Sequence, residues 1–308
     1  FPTRRSSDLH TRKVIYLFYD RRNLEMKYVK KIAAIFCAVM MVVTINASVV
    51  NAASTDEGNP TVITLISGST MSGSAAGIFA EGETDHYFKF SLGSSSSYPD
   101  VMAVYLTNPD GCNYQMEITD PQNGIIYRGI GKAGTNDKVI KIPKPRTMTT
   151  YYLHVYAADG IYNKKVYSIS LDNLYVKGKY TGSFSPKKIT NPGKATLDPV
   201  YSSVATIDLR RTSSIPDSAE VTEVEVSGTL SYNIGNTWME IDNSISGSHN
   251  EARLNKGYNT SFSGLRNSYE PVKAIWSIDY YTYAGMSTTF TNPQIAISYR
   301  YDKYEEFS

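Results

Sequence analysis

Almost every patterned segment of this chain beyond residue 84 repeats with period two, and that alternation excludes helical packing for most of its length. His86, Phe88, Phe90 and Leu92 alternate with Tyr87, Lys89 and Ser91. Met102, Val104 and Leu106 alternate with Ala103 and Tyr105, and Tyr114, Met116 and Ile118 with Gln115, Glu117 and Thr119. The sets Tyr151, Leu153, Val155 and Tyr167, Ile169, Leu171 follow the same rule. Turn signals separate the runs: Asn-Pro-Asp-Gly at 108–111, Asp-Pro-Gln-Asn-Gly at 120–124 and Ala-Asp-Gly at 158–160. Successive side chains of a strand point to opposite faces, so each run predicts a strand with one buried and one wet face. Short strands at this spacing, rich in Tyr, Thr, Val and Ile, predict an antiparallel sandwich.

A second set begins after a poorly periodic stretch. Residues 173–199 carry Gly178, Gly182, Pro186, Pro192, Gly193 and Pro199 with five lysines, a composition that predicts a linker with one strand at 174–176. Strands are then expected at 204–209, 221–232, 237–241, 274–283 and 294–301. In the fourth, Trp276, Ile278 and Tyr280 share one face, with Ser277, Asp279 and Tyr281 on the other. In the last, Ile295, Ile297, Tyr299 and Tyr301 face inward, and Ser298, Arg300 and Asp302 outward. The expected architecture is all-β: two consecutive antiparallel β-sandwich, jelly-roll-like domains, at 53–172 and 200–308, after a signal peptide.

The signal peptide is expected at 26–52. Lys27, Lys30 and Lys31 form a positive start, 32–50 is apolar apart from small and weakly polar residues, and Val50, Asn51 and Ala52 supply a cleavage site near Ala52. Thr44, Asn46 and Ser48 dilute the distal half, which disfavours an uncleaved anchor and predicts no stable membrane insertion after cleavage. The protein is therefore expected to be secreted, in the extracellular space. Residues 1–25 read as a non-native translated leader. The first nine resemble the translation of a sequencing adapter, and Arg21 and Arg22 could be encoded by a purine-rich ribosome-binding sequence just upstream of Met26.

Removing 1–52 changes the charge balance. Nine of 31 Lys and Arg and three of 29 Asp and Glu precede Ala53, which leaves 22 basic against 26 acidic side chains, a net charge of −4. Such a surface lacks the clustered basic footprint of a nucleic-acid binder. Cys37 falls within the signal, so Cys112 is the one mature cysteine and no intramolecular disulfide can form. The fold must then be held by core burial, for which about 255 residues are ample.

Residues 66–171 resemble the bacterial pre-peptidase C-terminal domain, a jelly-roll-like module appended to secreted proteins. The resemblance is carried by Gly77 and Phe79, by Gly82 and Asp85 leading into Tyr87, Phe90 and Leu92, by Asp120 to Gly124, and by Thr150, Tyr152, Val155, Tyr167, Ile169 and Leu171. It implies a non-catalytic accessory role: binding matrix protein or carbohydrate, assisting export, or being clipped off after export. Some relatives bind calcium before the first aromatic strand, and Glu81, Glu83 and Asp85 match that region, with Asp56 and Glu57 nearby. Three carboxylates in five residues suit an ion that takes six to eight oxygen ligands. In residues 200–304, Ile215, Pro216 and Asp217 before Val221 and Val226, then Trp276 and Ile297, are similar in order to the elements of proprotein-convertase P domains. That similarity bears on fold alone.

Catalytic signatures are missing. Gly129, Gly131 and Gly134 fit G-x-G-x-x-G, but strand residues 139–142 follow instead of the helix that a dinucleotide site needs. His86, His154 and His249 form no H-E-x-x-H, and no G-x-S-x-G elbow exists. Cys112 lacks the basic neighbour that would activate a thiol. The 25 tyrosines remain, clustered at 280–283 and 299–304. Flat rings beside polar edges suit a sugar or a peptide. Tyr281, Tyr283, Arg300 and Tyr304 are accordingly the expected binding face, and extracellular protein or polysaccharide the expected partner. The alternatives are a secreted hydrolase whose site assembles from loops such as 243–258, and a maturation module later removed.

Overall fold

Alternation becomes burial strand by strand. The computed structural model describes residues 53–307 except 67–70, 95–98, 133–134, 161–163, 195–197 and 233–235. The expected leader (1–25) and signal peptide (26–52) lie outside the described residues. In β3 (Asp85–Leu92), Phe88 and Phe90 are fully buried while Tyr87 and Lys89 keep a wet side. Burying each such ring contributes about 1.5–3 kcal/mol.

The first sandwich has two five-stranded sheets. One runs in the order β1 (Thr61–Val62), β3, β9 (Thr149–Tyr156), β5 (Gln115–Asp120), β6 (Ile125–Arg128). The other runs β2 (Ser72–Gly77), β10 (Tyr167–Asn173), β4 (Val101–Thr107), β8 (Lys138–Pro143), β7 (Ile130–Gly131). Apart from the parallel pair β1–β3, the ladders in this sandwich are antiparallel. Gly131 of the glycine run lies in β7, which pairs with β8. Between the two sheets lies one core containing Phe79, Phe88, Phe90, Tyr151, Tyr167 and the free Cys112. His86 is part of it, 1% exposed, stacked 4.1 Å from Phe79 and bonded through Nδ1 to the Tyr167 hydroxyl at 2.7 Å. Burial depresses its pKa, against the opposing pull of Glu83 and Asp85.

The second sandwich begins earlier than its hydrophobic pattern suggests. The stretch expected as a linker carries β11 (Tyr175–Ser183) and β12 (Lys188–Asn191), both paired with β20 (Thr288–Asp302). β20 also pairs with β15 (Glu220–Leu230), which carries β18 (Thr260–Ser261) on its far side. The opposing sheet is centred on β19 (Ile275–Thr282). β13 (Val200–Tyr201) and β14 (Ala205–Asp208) pair with one edge of β19, and β16 (Thr237–Asn243) and then β17 (Ser248–Arg253) lie beyond the other. Trp276, Ile278, Tyr280, Ile295, Ile297 and Tyr299 point into the core between the two sheets. A single 3-10 turn, Ser263–Leu265, is the only helical element among the described residues. The chain is thus all-β and folds as two consecutive sandwiches.

The sandwiches touch through the end of β20. Phe307 and Leu174 bury Ala103 and Val139, which sit on the outer side of the β2–β10–β4–β8–β7 sheet. That contact explains why Ala103, expected on a wet face, is fully buried.

Candidate functional site

The outer face of the sheet β13/β14–β19–β16–β17 combines aromatic rings with charge. Strand alternation puts Trp238, Glu240 and Asp242 outward from β16, and Ser277, Asp279 and Tyr281 outward from β19. Register then aligns them in rows. Trp238 faces Arg253 on one side and Tyr281 on the other, and Tyr281 faces Tyr201. One step along the strands, Glu251, Glu240 and Asp279 form the next row, followed by His249, Asp242 and Ser277. An aromatic row therefore borders an acidic one.

Contacts within the face are specific. Tyr281 is tilted against Tyr201 at 5.3 Å and meets Tyr283 edge-on at 6.0 Å. Tyr201 and Tyr283 are 47% and 43% exposed, so two rings of this cluster are open to a partner. The Tyr281 hydroxyl donates to Glu251 Oε2 at 3.0 Å, and burial together with that bond pushes its pKa up. His249 Nδ1 lies 2.8 Å from Asp242, with Nε2 3.7 Å from Glu240. The Asp242 bond raises the imidazole pKa. Glu240 and Asp279 sit side by side without a basic residue between them. Burial raises both carboxyls; Asp279 raises Glu240 further and Asp242 raises Asp279, while His249 opposes the rise at both and the Glu240 contact opposes it at Asp279.

The four residues expected to share a binding face do not share one. Tyr281 and Tyr283 belong to this surface, whereas Arg300 and Tyr304 lie on β20 and just beyond it, in the opposite sheet. The Arg300 guanidinium stacks between Tyr175 at 4.0 Å and Tyr269 at 3.7 Å. It donates to Glu220 at 2.9 Å and to Asp100 of the first sandwich at 3.2 Å. Tyr304 stacks on Tyr105 of the first sandwich at 5.1 Å. Both side chains are engaged in holding the sandwiches together. Sequence alternation missed Trp238 and Tyr201 as partners of Tyr281, because only strand register brings them into line.

Glu81, Glu83 and Asp85 are also dispersed. Glu81 pairs with Lys164 at 3.3 Å on the surface. Glu83 accepts from the Ala80 N–H at 2.8 Å, which with His86 lowers its pKa. Asp85 accepts from the Thr84 hydroxyl at 2.6 Å and lies 2.7 Å from His154 Nε2, which lower its pKa in turn. Each carboxylate has its own protein partner, and no group of three His, Cys, Asp or Glu side chains is placed to hold a metal ion among the described residues.

A second surface lies on the first sandwich, outside β3, β9 and β5. His154 stacks between Tyr87 at 4.7 Å and Tyr156 at 4.8 Å, with Asp85 and Glu117 at its two nitrogens. The N-terminal segment at Glu57 and Pro60 walls a groove of about 480 Å³ beside it. Asp85 holds the His154 Nε2 at 2.7 Å, and Glu117 lies 3.7 Å from its Nδ1.

These features define a β-sandwich protein with wet aromatic faces. No family model matches the chain. Among curated proteins it is similar to the uncharacterised YbdN of Bacillus subtilis (strain 168), with 26% identity over 246 residues, covering 75% of this chain and 81% of YbdN. Among solved structures, the pre-peptidase C-terminal domain of a Bacillus anthracis collagenase covers 32% of this chain and 84% of its own, at 16% identity and a TM-score of 0.23. The N-terminal tandem CBM22 domain of a Paenibacillus barcinonensis protein covers 80% of this chain and 97% of its own, at 12% identity and a TM-score of 0.27. These likenesses are too remote to assign a ligand or an activity.

Proposed function

We propose that this is a secreted, non-catalytic binding protein that engages extracellular polysaccharide through the outer face of the β13/β14–β19–β16–β17 sheet. One observation carries the reading: Tyr201, Tyr281 and Tyr283 cluster on a wet sheet face in line with Trp238, with carboxylates one row away. Aromatic rings stack on the apolar faces of pyranose rings, and carboxylates accept from their hydroxyls. The basic start, apolar run and small-residue cleavage site of 26–52 support export. No described helix is long and apolar enough to cross a membrane. In support of a non-catalytic role, Cys112 is buried in the first core and His86 is buried there too, bonded to the Tyr167 hydroxyl.

Affinity electrophoresis of the intact protein through gels containing different polysaccharides tests this. At least one polysaccharide should retard the protein, and Tyr281→Ala and Tyr201→Ala should each restore mobility by weakening binding about tenfold or more. Retardation that survives both changes, or turnover of the polymer by the wild type, contradicts it.

A further inference from the structure

We propose that the polymer recognised by this face is cationic, with protonated primary amines on its sugars; the inference rests on the polysaccharide reading above and sharpens its ligand class. Rows of side chains on one sheet face are two residues apart along the strand, about 7 Å. A pyranose stacked on Tyr281 therefore projects a ring substituent over Glu240 and Asp279, the row next along β16 and β19.

Charge decides what that substituent is. The face gathers four carboxylates, Glu240, Asp242, Glu251 and Asp279, on three neighbouring strands. His249 faces Asp242 at 2.8 Å and Glu240 at 3.7 Å, and Glu251 accepts from the Tyr281 hydroxyl, so one imidazole stands against three carboxylates, Glu240, Asp242 and Asp279. Arg253 stands at the aromatic end, opposite Trp238, and His249 at the other. Glu240 and Asp279 lie between them, adjacent and half withdrawn from water, and burial makes both reluctant to ionise. A sugar hydroxyl would accept or donate a hydrogen bond there without relieving the repulsion. An ammonium group brings three donors and the compensating charge, and the neighbouring rings add cation–π attraction. The surface thus matches an amine on a flat, apolar ring.

The test is isothermal titration of the intact protein with a β-1,4-linked glucosamine hexamer, its fully N-acetylated counterpart and hexalysine. The pyranose ring is the same in both sugars; acetylation removes the charge and also adds an acetyl group, so the acid variants below separate charge from size. The free-amine sugar should bind about tenfold or more tightly than the acetylated one, and added salt should shrink the difference. Glu240→Gln and Asp279→Asn, near-isosteric changes, should each reduce the preference, while Tyr281→Ala should weaken both sugars alike. Equal binding of the two sugars, or a preference unchanged in both acid variants, overturns the amine inference and leaves the aromatic-face reading standing. Binding of hexalysine with neither sugar overturns both, in favour of a basic peptide. Absence of binding by all three overturns the amine inference alone, and the polysaccharide gels then decide the broader reading.

Discussion

Glu240 holds its charge against its surroundings. Its side chain is 14% exposed and Asp279 is its cross-strand neighbour, so burial first and the neighbouring carboxylate second raise its pKa above the unfolded value. Ionisation therefore costs stability as pH rises from the unfolded carboxylate range through the higher folded value, and below that range the cost is absent. Glu240→Gln is expected to stabilise the ligand-free protein at neutral pH, with the gain fading in acid. Urea denaturation at neutral and acid pH measures this, and a destabilised variant at neutral pH would contradict it. Arg300 shows the opposite arrangement. Two carboxylates and two rings surround it, which makes it a clamp between the sandwiches. Nothing in its local sequence distinguishes that role from binding, because Tyr269 and Asp100 are distant along the chain.

Individual strands show what was readable and why the rest was not. β3, β19 and the second half of β20 announce themselves by apolar alternation, and their buried sides are the expected ones. β11 reads as linker because Gly178 and Gly182 punctuate it. An added Cβ at Gly178 would run into the ring of Tyr299, so the glycine makes room for a core aromatic from the paired strand. β17 reads as loop because an edge strand of Ser248, His249, Asn250, Glu251, Ala252 and Arg253 has no fully buried side. The first half of β20 is hidden by Pro293 and by Asn292 at φ 52°, which mark an irregularity where the register with β15 shifts. Gly228 sits at that shift, and a Cβ there would meet the Phe290 ring. Gly228→Ala is expected to cost about 1–3 kcal/mol through overpacking, lowering the melting temperature by several degrees. An unchanged melt would show that Phe290 yields without penalty. The aromatic site was half legible: Tyr281 and Tyr283 lie close together in sequence, whereas Trp238 and Tyr201 join them only through register.

On the scale of the molecule, the question is whether the sandwiches move as one. Their contact is modest in apolar residues, with Phe307, Leu174, Ala103 and Val139 at its centre and Tyr105 stacked on Tyr304. Ion pairs Lys141–Asp302 at 2.6 Å and Lys303–Asp172 flank it. Interfaces within a chain allow relative motion unless they are large and apolar, so these few side chains should control orientation. Combined Tyr304→Ala and Phe307→Ala is expected to broaden the distribution of dimensions in small-angle scattering while both sandwiches stay folded. Identical scattering curves would contradict that role. The binding claim itself has an intrinsic reporter. Of the two tryptophans, Trp276 is fully buried with its indole N–H bonded to Val272 O at 3.0 Å, whereas Trp238 lies on the proposed face beside Tyr281. The most direct measurement is therefore the emission of the intact protein titrated with the polysaccharide that retards it most. The account predicts a saturable change that disappears in Trp238→Phe and weakens about tenfold or more in Tyr281→Ala. Saturable binding that leaves Trp238 emission unchanged would place the ligand elsewhere and contradict the account.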